Sequence, residues 1–225
     1  MFVLKFNSFD FENQLSELAE SVTTHHYGKK IIIKDSIATG FYKVLNFPNE
    51  LKAVITNYVL NSDFIAERDN VRDDYYMLHI NQVKAGSEFS VLINDGEVNF
   101  DDKIYTSVFL TDSKEPFGLK GTKGACFNQL KIVIPKPWLK KNLGDICSDE
   151  LLEKYFGLKE QRLFFDSFDE SYQILVDKVM NTEDTIYYLA VTQSFVTVIT
   201  ERFFCKMSNK LYNSSTDIQF LDRVA

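Results

Sequence analysis

The chain has 225 residues and a formal charge of −7, with 45% hydrophobic and 25% charged residues. That length suits one large domain or two small ones, and the composition is ordinary for a globular protein. Residues 1–137 hold 15 basic and 18 acidic side chains, and residues 138–225 hold 10 and 14, so neither half offers the Lys/Arg stripe that nucleic-acid binding requires.

Phe9 to Val22 is predicted to be a helix. Leu15, Leu18, Ala19 and Val22 recur at helical spacing, and Ser8 or Asp10 can cap it. Thr23 to Tyr27 breaks that pattern, and from Lys30 to about Pro135 the period becomes two. Lys30–Lys34, Gly40–Leu45, Leu51–Leu60, Tyr75–Val83, Phe89–Ile93, Val98–Phe100, Ile104–Thr111 and Phe127–Ile134 read as strands. Asn94-Asp95-Gly96 marks a hairpin. Gly118, Gly121 and Gly124 mark a loop between the last two strands. Short strands at this spacing, with few helices between them, predict an antiparallel barrel or jelly-roll sandwich. Several strands are apolar on both faces, as when one face lines an interior and the other meets a helix.

After Pro135-Lys136-Pro137 the pattern is helical. Helices are predicted at Trp138–Gly144, at Ser148–Gly157 with Ser148 as cap, at Asp169–Met180 and at Ile186–Met207. On the last, Ile186, Leu189, Val196, Phe203 and Met207 form one stripe, while Tyr188, Val191, Phe195 and Val198 lie off it. A helix apolar nearly all round is buried on two sides. One side can pack on the barrel; the other needs a neighbouring helix or a second copy of the chain. Ser214-Ser215-Thr216-Asp217 reads as a cap cluster opening a further helix with Ile218, Leu221 and Val224. That stripe reaches Ala225 without a stop residue, so the natural polypeptide is expected to continue.

Three cysteines, Cys126, Cys147 and Cys205, cannot all pair internally and form no C-x-x-C motif, which points to reduced thiols in the cytoplasm. The N-terminus lacks the pattern of a signal peptide. The longest uncharged apolar stretch, Thr185 to Thr200, is shorter than a membrane span.

Chemical motifs are sparse. His79-Ile80-Asn81 places an amide where a second imidazole would be needed, no His follows residue 79, and His25-His26 would point to opposite faces of a strand. No metal or other cofactor is expected. No G-x-S-x-G occurs, Cys147 lies beside Asp145 and Asp149, and Cys126 and Cys205 read as core thiols. Asp73-Asp74 and Asp101-Asp102 read as turn residues, and Gly118–Gly124 lacks the P-loop order. Aromatic residues reach 14%, with 20 Phe and 11 Tyr, a volume that needs a large core or an apolar cavity. Tyr58, Tyr76, His79 and Phe109, all mid-strand, are the candidate ligand-lining residues; the alternative is that they fill the core.

A longer pattern emerges from these strings. Thr39-Gly40-Phe41-Tyr42, the strand Leu51–Leu60, Phe64-Ile65-Ala66-Glu67-Arg68 and Asp74–Ile80 come in order. Tyr105–Ser113 then leads through the glycine loop to Asn128–Pro135 and Lys136-Pro137-Trp138-Leu139. This order resembles the N-terminal cupin-like regulatory domain of AraC-type transcription regulators. The resemblance implies an α+β chain, mainly β then α: an N-terminal helix plus cupin-like barrel over 1–137, and a helical region over 138–225 that packs on it and pairs two subunits. It implies a small-molecule effector, a homodimer, and DNA binding only through a helix-turn-helix domain absent from this chain. Such a module is not an enzyme. Ile186, Leu189, Phe195, Phe203 and Met207 are the expected dimerisation residues. The alternative is a cupin-fold enzyme acting on a small organic or sugar substrate.

Overall fold

The alternation of apolar residues between Lys30 and Pro135 does build strands. The computed structural model describes residues 1–6, 18, 24–27, 29–68, 73–84, 86–93, 96–100, 106–158, 164–165, 170–182 and 186–221. The helix predicted over 9–22 lies outside the described residues apart from Leu18, which is helical, and Asp101-Asp102 lies outside them entirely.

The strands run β1 (Phe2–Phe6), β2 (Thr24–Tyr27), β3 (Lys30–Lys34), β4 (Ala38–Asn46), β5 (Lys52–Leu60), β6 (Phe64–Arg68) and β7 (Tyr75–Val83). They continue with β8 (Phe89–Ile93), β9 (Gly96–Phe100), β10 (Thr106–Asp112), β11 (Phe117–Gly121) and β12 (Cys126–Pro135). Helices α1 (Lys136–Leu143) and α2 (Asp149–Gly157), the short strand β13 (Phe164–Phe165), α3 (Glu170–Met180) and α4 (Ile186–Leu221) complete the described elements. One sheet has the order β13-β10-β7-β12-β5-β4-β3-β2 and the other β1-β6-β11-β8-β9. Every described pairing is antiparallel except that of β1 with β6. The result is mainly β followed by α, with the β part in the two-sheet jelly-roll form.

Period-two alternation gives the large sheet two buried faces. On β12, Phe127 and Val133 pack with residues of the small sheet such as Phe89, Val91 and Leu119. Leu130, Ile132 and Ile134 point the other way, into a core shared with Trp138, Leu151, Tyr155, Val176 and Phe203. The Tyr155 hydroxyl accepts the Leu110 N–H at 2.7 Å in that second core, which ties α2 to β10 and satisfies a buried main-chain donor.

Four local expectations changed. Thr24–Tyr27 pairs with β3 as a strand, with Thr24 opposite Ile33 and Tyr27 opposite Lys30. Phe64–Arg68 is a strand between β1 and β11. The glycine loop contains β11: at Gly118 and Gly121 a Cβ would come within 3.0 Å of Leu92 and 2.6 Å of Leu60, so these glycines allow close sheet packing and do not break the strand. Finally, α4 runs unbroken through residues 214–217. Ser, Thr and Asp cost at most about 0.7 kcal/mol each inside a helix, too little to stop one that is already propagating. The Ser148 cap matches expectation, its Oγ accepting the Leu151 N–H at 3.2 Å.

Candidate functional site

A cavity of about 50 Å³ lies inside the sandwich. Its walls are mostly apolar, among them Ile33, Leu60, Leu119 and Phe127. Tyr42, Thr56, Tyr58, Gln129 and Lys131 supply its polar atoms. The β5–β12 ladder sets most of this group. Thr56 stands opposite Gln129, Tyr58 opposite Phe127, and Lys131 opposite Val54, so inward-pointing residues of both strands converge. Burial pushes the Tyr42 and Tyr58 hydroxyls well above the ordinary phenol range, which keeps both neutral. Gln129 donates to Asn81 Oδ1 at 2.5 Å, and Asn81 donates to Ser107 Oγ at 3.2 Å, which anchors one side of the cavity.

Lys131 is half-buried, and no hydrogen bond or ion pair to a described residue engages its Nζ. Burial, and then the charge of Arg68, bring its amine down to about 7. Between that value and the 10.5 of a solvated lysine, the unfolded chain holds a proton that the folded chain has released. Stability therefore rises with pH through this window, and the full penalty is present below about pH 7. At about 1.4 kcal/mol per unit, the wild-type chain is expected to gain a few kcal/mol between pH 7 and about 9.5. Lys131→Met should lack most of that rise. Urea midpoints of both proteins across this range check it; parallel curves would refute it.

The four residues expected to line a site do not come together. Tyr58 lines the cavity, with its ring edge-on to Phe127 at 5.7 Å. His79 and Phe109 are sealed in the interior as a stacked pair, centroids 4.7 Å apart, with Phe117 against His79 at 4.3 Å. His79 Nε2 lies 3.0 Å from Thr111 Oγ1. These two fill the core. Tyr76 faces away from the interior: its ring stacks on Phe156 at 5.8 Å and carries Lys136 Nζ at 4.7 Å. The reason is strand parity, since residues 76 and 79 are three apart on β7 and point to opposite faces. Tyr76 instead lines an open groove of about 840 Å³ at the sheet–helix seam. There Lys136 pairs with Asp73 and, at 2.9 Å, with Asp112. Hydrogen bonds from Lys114 and Lys136 hold the Asp73 carboxyl below its usual range. Burial and Asp149 push the Cys147 thiol in this groove up to about 12, so it stays protonated and unreactive.

Thr56, Gln129 and Lys131 were missed from sequence. The available signal was polarity at inward parity: Gln129 and Lys131 alternate with Leu130 and Ile132 and share a face with Phe127 and Val133.

On α4, Phe203 and Met207 are wholly buried with Val196, Ile199, Phe204 and Leu211 against the sheet and α2. They present nothing to a second copy, which corrects that part of the expected dimerisation set. Leu189 and Phe195 are half-buried, with Lys178 Nζ 5.2 Å from the Phe195 ring. Ile186 opens the helix, and its side chain lies outside the described residues. The outer stripe is Tyr188, Val191, Phe195 and Val198: Tyr188 and Val198 are exposed, Val191 is half-buried, and Phe195 is half-buried with part of its ring against the helical core.

Among the described residues no group of three or more His, Cys, Asp or Glu is placed to hold a metal ion. No described helix is long and apolar enough to cross a membrane.

These observations define the chain as a two-sheet β protein with an internal cavity and a helical layer on one sheet. No family model matches it, and no curated protein matches its sequence. Several solved structures align with parts of it. An AraC-like transcriptional activator, CuxR, aligns over 88% of this chain and 65% of its own at 10% identity and a TM-score of 0.45. KdgF from Halomonas sp. aligns over 52% of this chain and 91% of its own at 11% identity and a TM-score of 0.31. The oxalate decarboxylase of Lactobacillus farciminis aligns over 64% and 48% at 12% identity and a TM-score of 0.28. The chain thus spans just under two thirds of the length of the AraC-like activator.

Proposed function

We propose that this chain is the effector-sensing and self-associating region of an AraC-type transcription regulator, acting on DNA through a helix-turn-helix reader outside these 225 residues. One observation carries the reading. The wall of the cavity and the seat of the helices are the two faces of the same strands. On β12, Gln129 and Lys131 reach into the cavity while Leu130 and Ile132 bear on the helical core. A ligand that orders one face changes the packing offered to α2–α4 on the other, because close-packed layers transmit displacement. An effector would then act by population shift between helix arrangements. The order of sequence strings from Thr39 to Leu139 supports the same family, and on this reading the protein works in the cytoplasm without catalysis.

Self-association is assigned to the outward stripe of α4. Val198→Asp is expected to convert dimers to monomers at micromolar concentration, with little change in melting temperature because the side chain is already exposed. Phe195→Asp should weaken association by several kcal/mol if its ring sits near an interface centre. Sedimentation velocity reads both. A wild-type chain that is monomeric at high concentration, or variants that sediment as wild type, would reject the assignment.

A further inference from the structure

Two groups open onto the interior cavity with hydrogen-bonding capacity that no described residue meets. Thr56 Oγ1 is buried, in a residue only 2% exposed, and has no hydrogen-bond partner among the described residues. Lys131 Nζ has none there either. They occupy diagonal inward positions of one ladder, Thr56 opposite Gln129 and Lys131 opposite Val54. We propose that the cavity binds a short-chain monocarboxylate, with its carboxylate held by Lys131 and Thr56 and its alkyl tail against Ile33, Leu60, Leu119 and Phe127.

This deepens the sensor reading and rests on it for its biological meaning. The chemistry follows from the lining. A hydroxyl and an ammonium are both donors, so they call for an acceptor. Among the described residues no Asp or Glu lines the cavity, so we assign the anion to the ligand. Arg68 adds a second positive charge, and its Nη2 is engaged by the main-chain carbonyls of Asp112 and Glu115 at 3.2 and 3.0 Å. Beyond Lys131 and Thr56 the described lining offers only the Tyr42 and Tyr58 hydroxyls and the Gln129 amide, too few polar groups in too small a space for the many hydroxyls of a sugar. Size sets the chain length. One water needs about 10–15 Å³ on this measure, so a cavity of about 50 Å³ takes roughly three to five non-hydrogen atoms, as in acetate or propionate.

Binding is coupled to protonation of Lys131. Among the described residues, the titratable or charged groups facing it are Arg68 from β6, Tyr42 from β4, Tyr58 from β5 and His79, its direct partner on β7. The strands β1, β3 and β11 contribute only Leu4, Ile33 and Leu119. Because burial holds the free amine near 7, affinity should fall roughly tenfold per pH unit above that value.

The test is calorimetric titration of the 225-residue chain with propionate at about pH 6.5 and 8.5, in buffers of differing ionisation enthalpy. The wild-type chain is expected to bind with proton uptake, at least tenfold more weakly at the higher pH. Lys131→Met should lose at least tenfold, Thr56→Val several-fold, and neutral propionamide should not compete. Lys131→Met removes a costly buried charge, so it should fold, and its melting curve verifies that. No wild-type binding, equal binding by a folded Lys131→Met, or equal binding of propionamide would overturn the proposal. Propionate binding that leaves self-association unaltered would uphold this site and count against the sensor reading. An association governed by Val198 in a chain that ignores propionate would do the reverse.

Discussion

Gly40→Ala is expected to cost about 3 kcal/mol or more of folding stability. Gly40 sits in β4 at φ +154°, and a Cβ there would lie 1.8 Å from the Asn57 carbonyl oxygen. Both the left-side φ and the contact are closed to an L side chain. Neither backbone can retreat cheaply. Gly40 faces Tyr58 across the β4–β5 ladder, and β5 is clamped on its other edge by β12, with Asn57 opposite Asn128. The Asn57 side chain also donates to Asn128. Relief would require opening the ladder that positions Thr56, Tyr58 and Lys131, so the cavity should fail with the fold. Gly86→Ala is the control: φ is +76° but nothing lies within 4 Å, so about 1 kcal/mol of conformational cost is expected. Urea unfolding followed by circular dichroism compares them; equal midpoints would mean that the close approach at Gly40 is absent.

Phe203→Ala is expected to cost about 3–5 kcal/mol, the range for deleting a buried aromatic ring. Phe203 is wholly buried, edge-on to Phe204 at 5.4 Å and to Tyr155 at 6.2 Å. Tyr155 in turn holds the Leu110 N–H, so the cavity left behind would loosen α4 from α2 and from the edge of the large sheet. The same substitution should leave association of the folded fraction unchanged, because the ring reaches no outer surface. Val198→Asp should behave in the opposite way, with stability kept and association lost. Thermal denaturation and sedimentation on the same two proteins separate the inner stripe from the outer one. A stable but monomeric Phe203→Ala protein would reverse this division of the helix.

Much of the sheet was legible because alternation is a local signal. Tyr75–Val83 and Phe89–Ile93 match to the residue, and Lys30–Lys34 likewise. Strands whose signal is not local were missed. Phe117–Gly121 looks like a loop because of its glycines, and only the nearness of Leu92 and Leu60 explains them. The candidate site was read less well. Tyr58 reached the cavity, but His79 and Phe109 became core and Tyr76 turned outward, since aromatic character alone says nothing about which face a residue occupies.

The order of residues by itself determined the succession of strands and then helices, the Ser148 cap and the apolar girth of α4. Each depends on neighbours within a few positions. Tertiary structure alone decided which stripe of α4 faces inward, because both stripes are apolar and only docking on the sheet distinguishes them. It also brought Thr56 and Lys131 to one cavity, since residues so far apart in the chain meet only when the ladder between β5 and β12 sets its register.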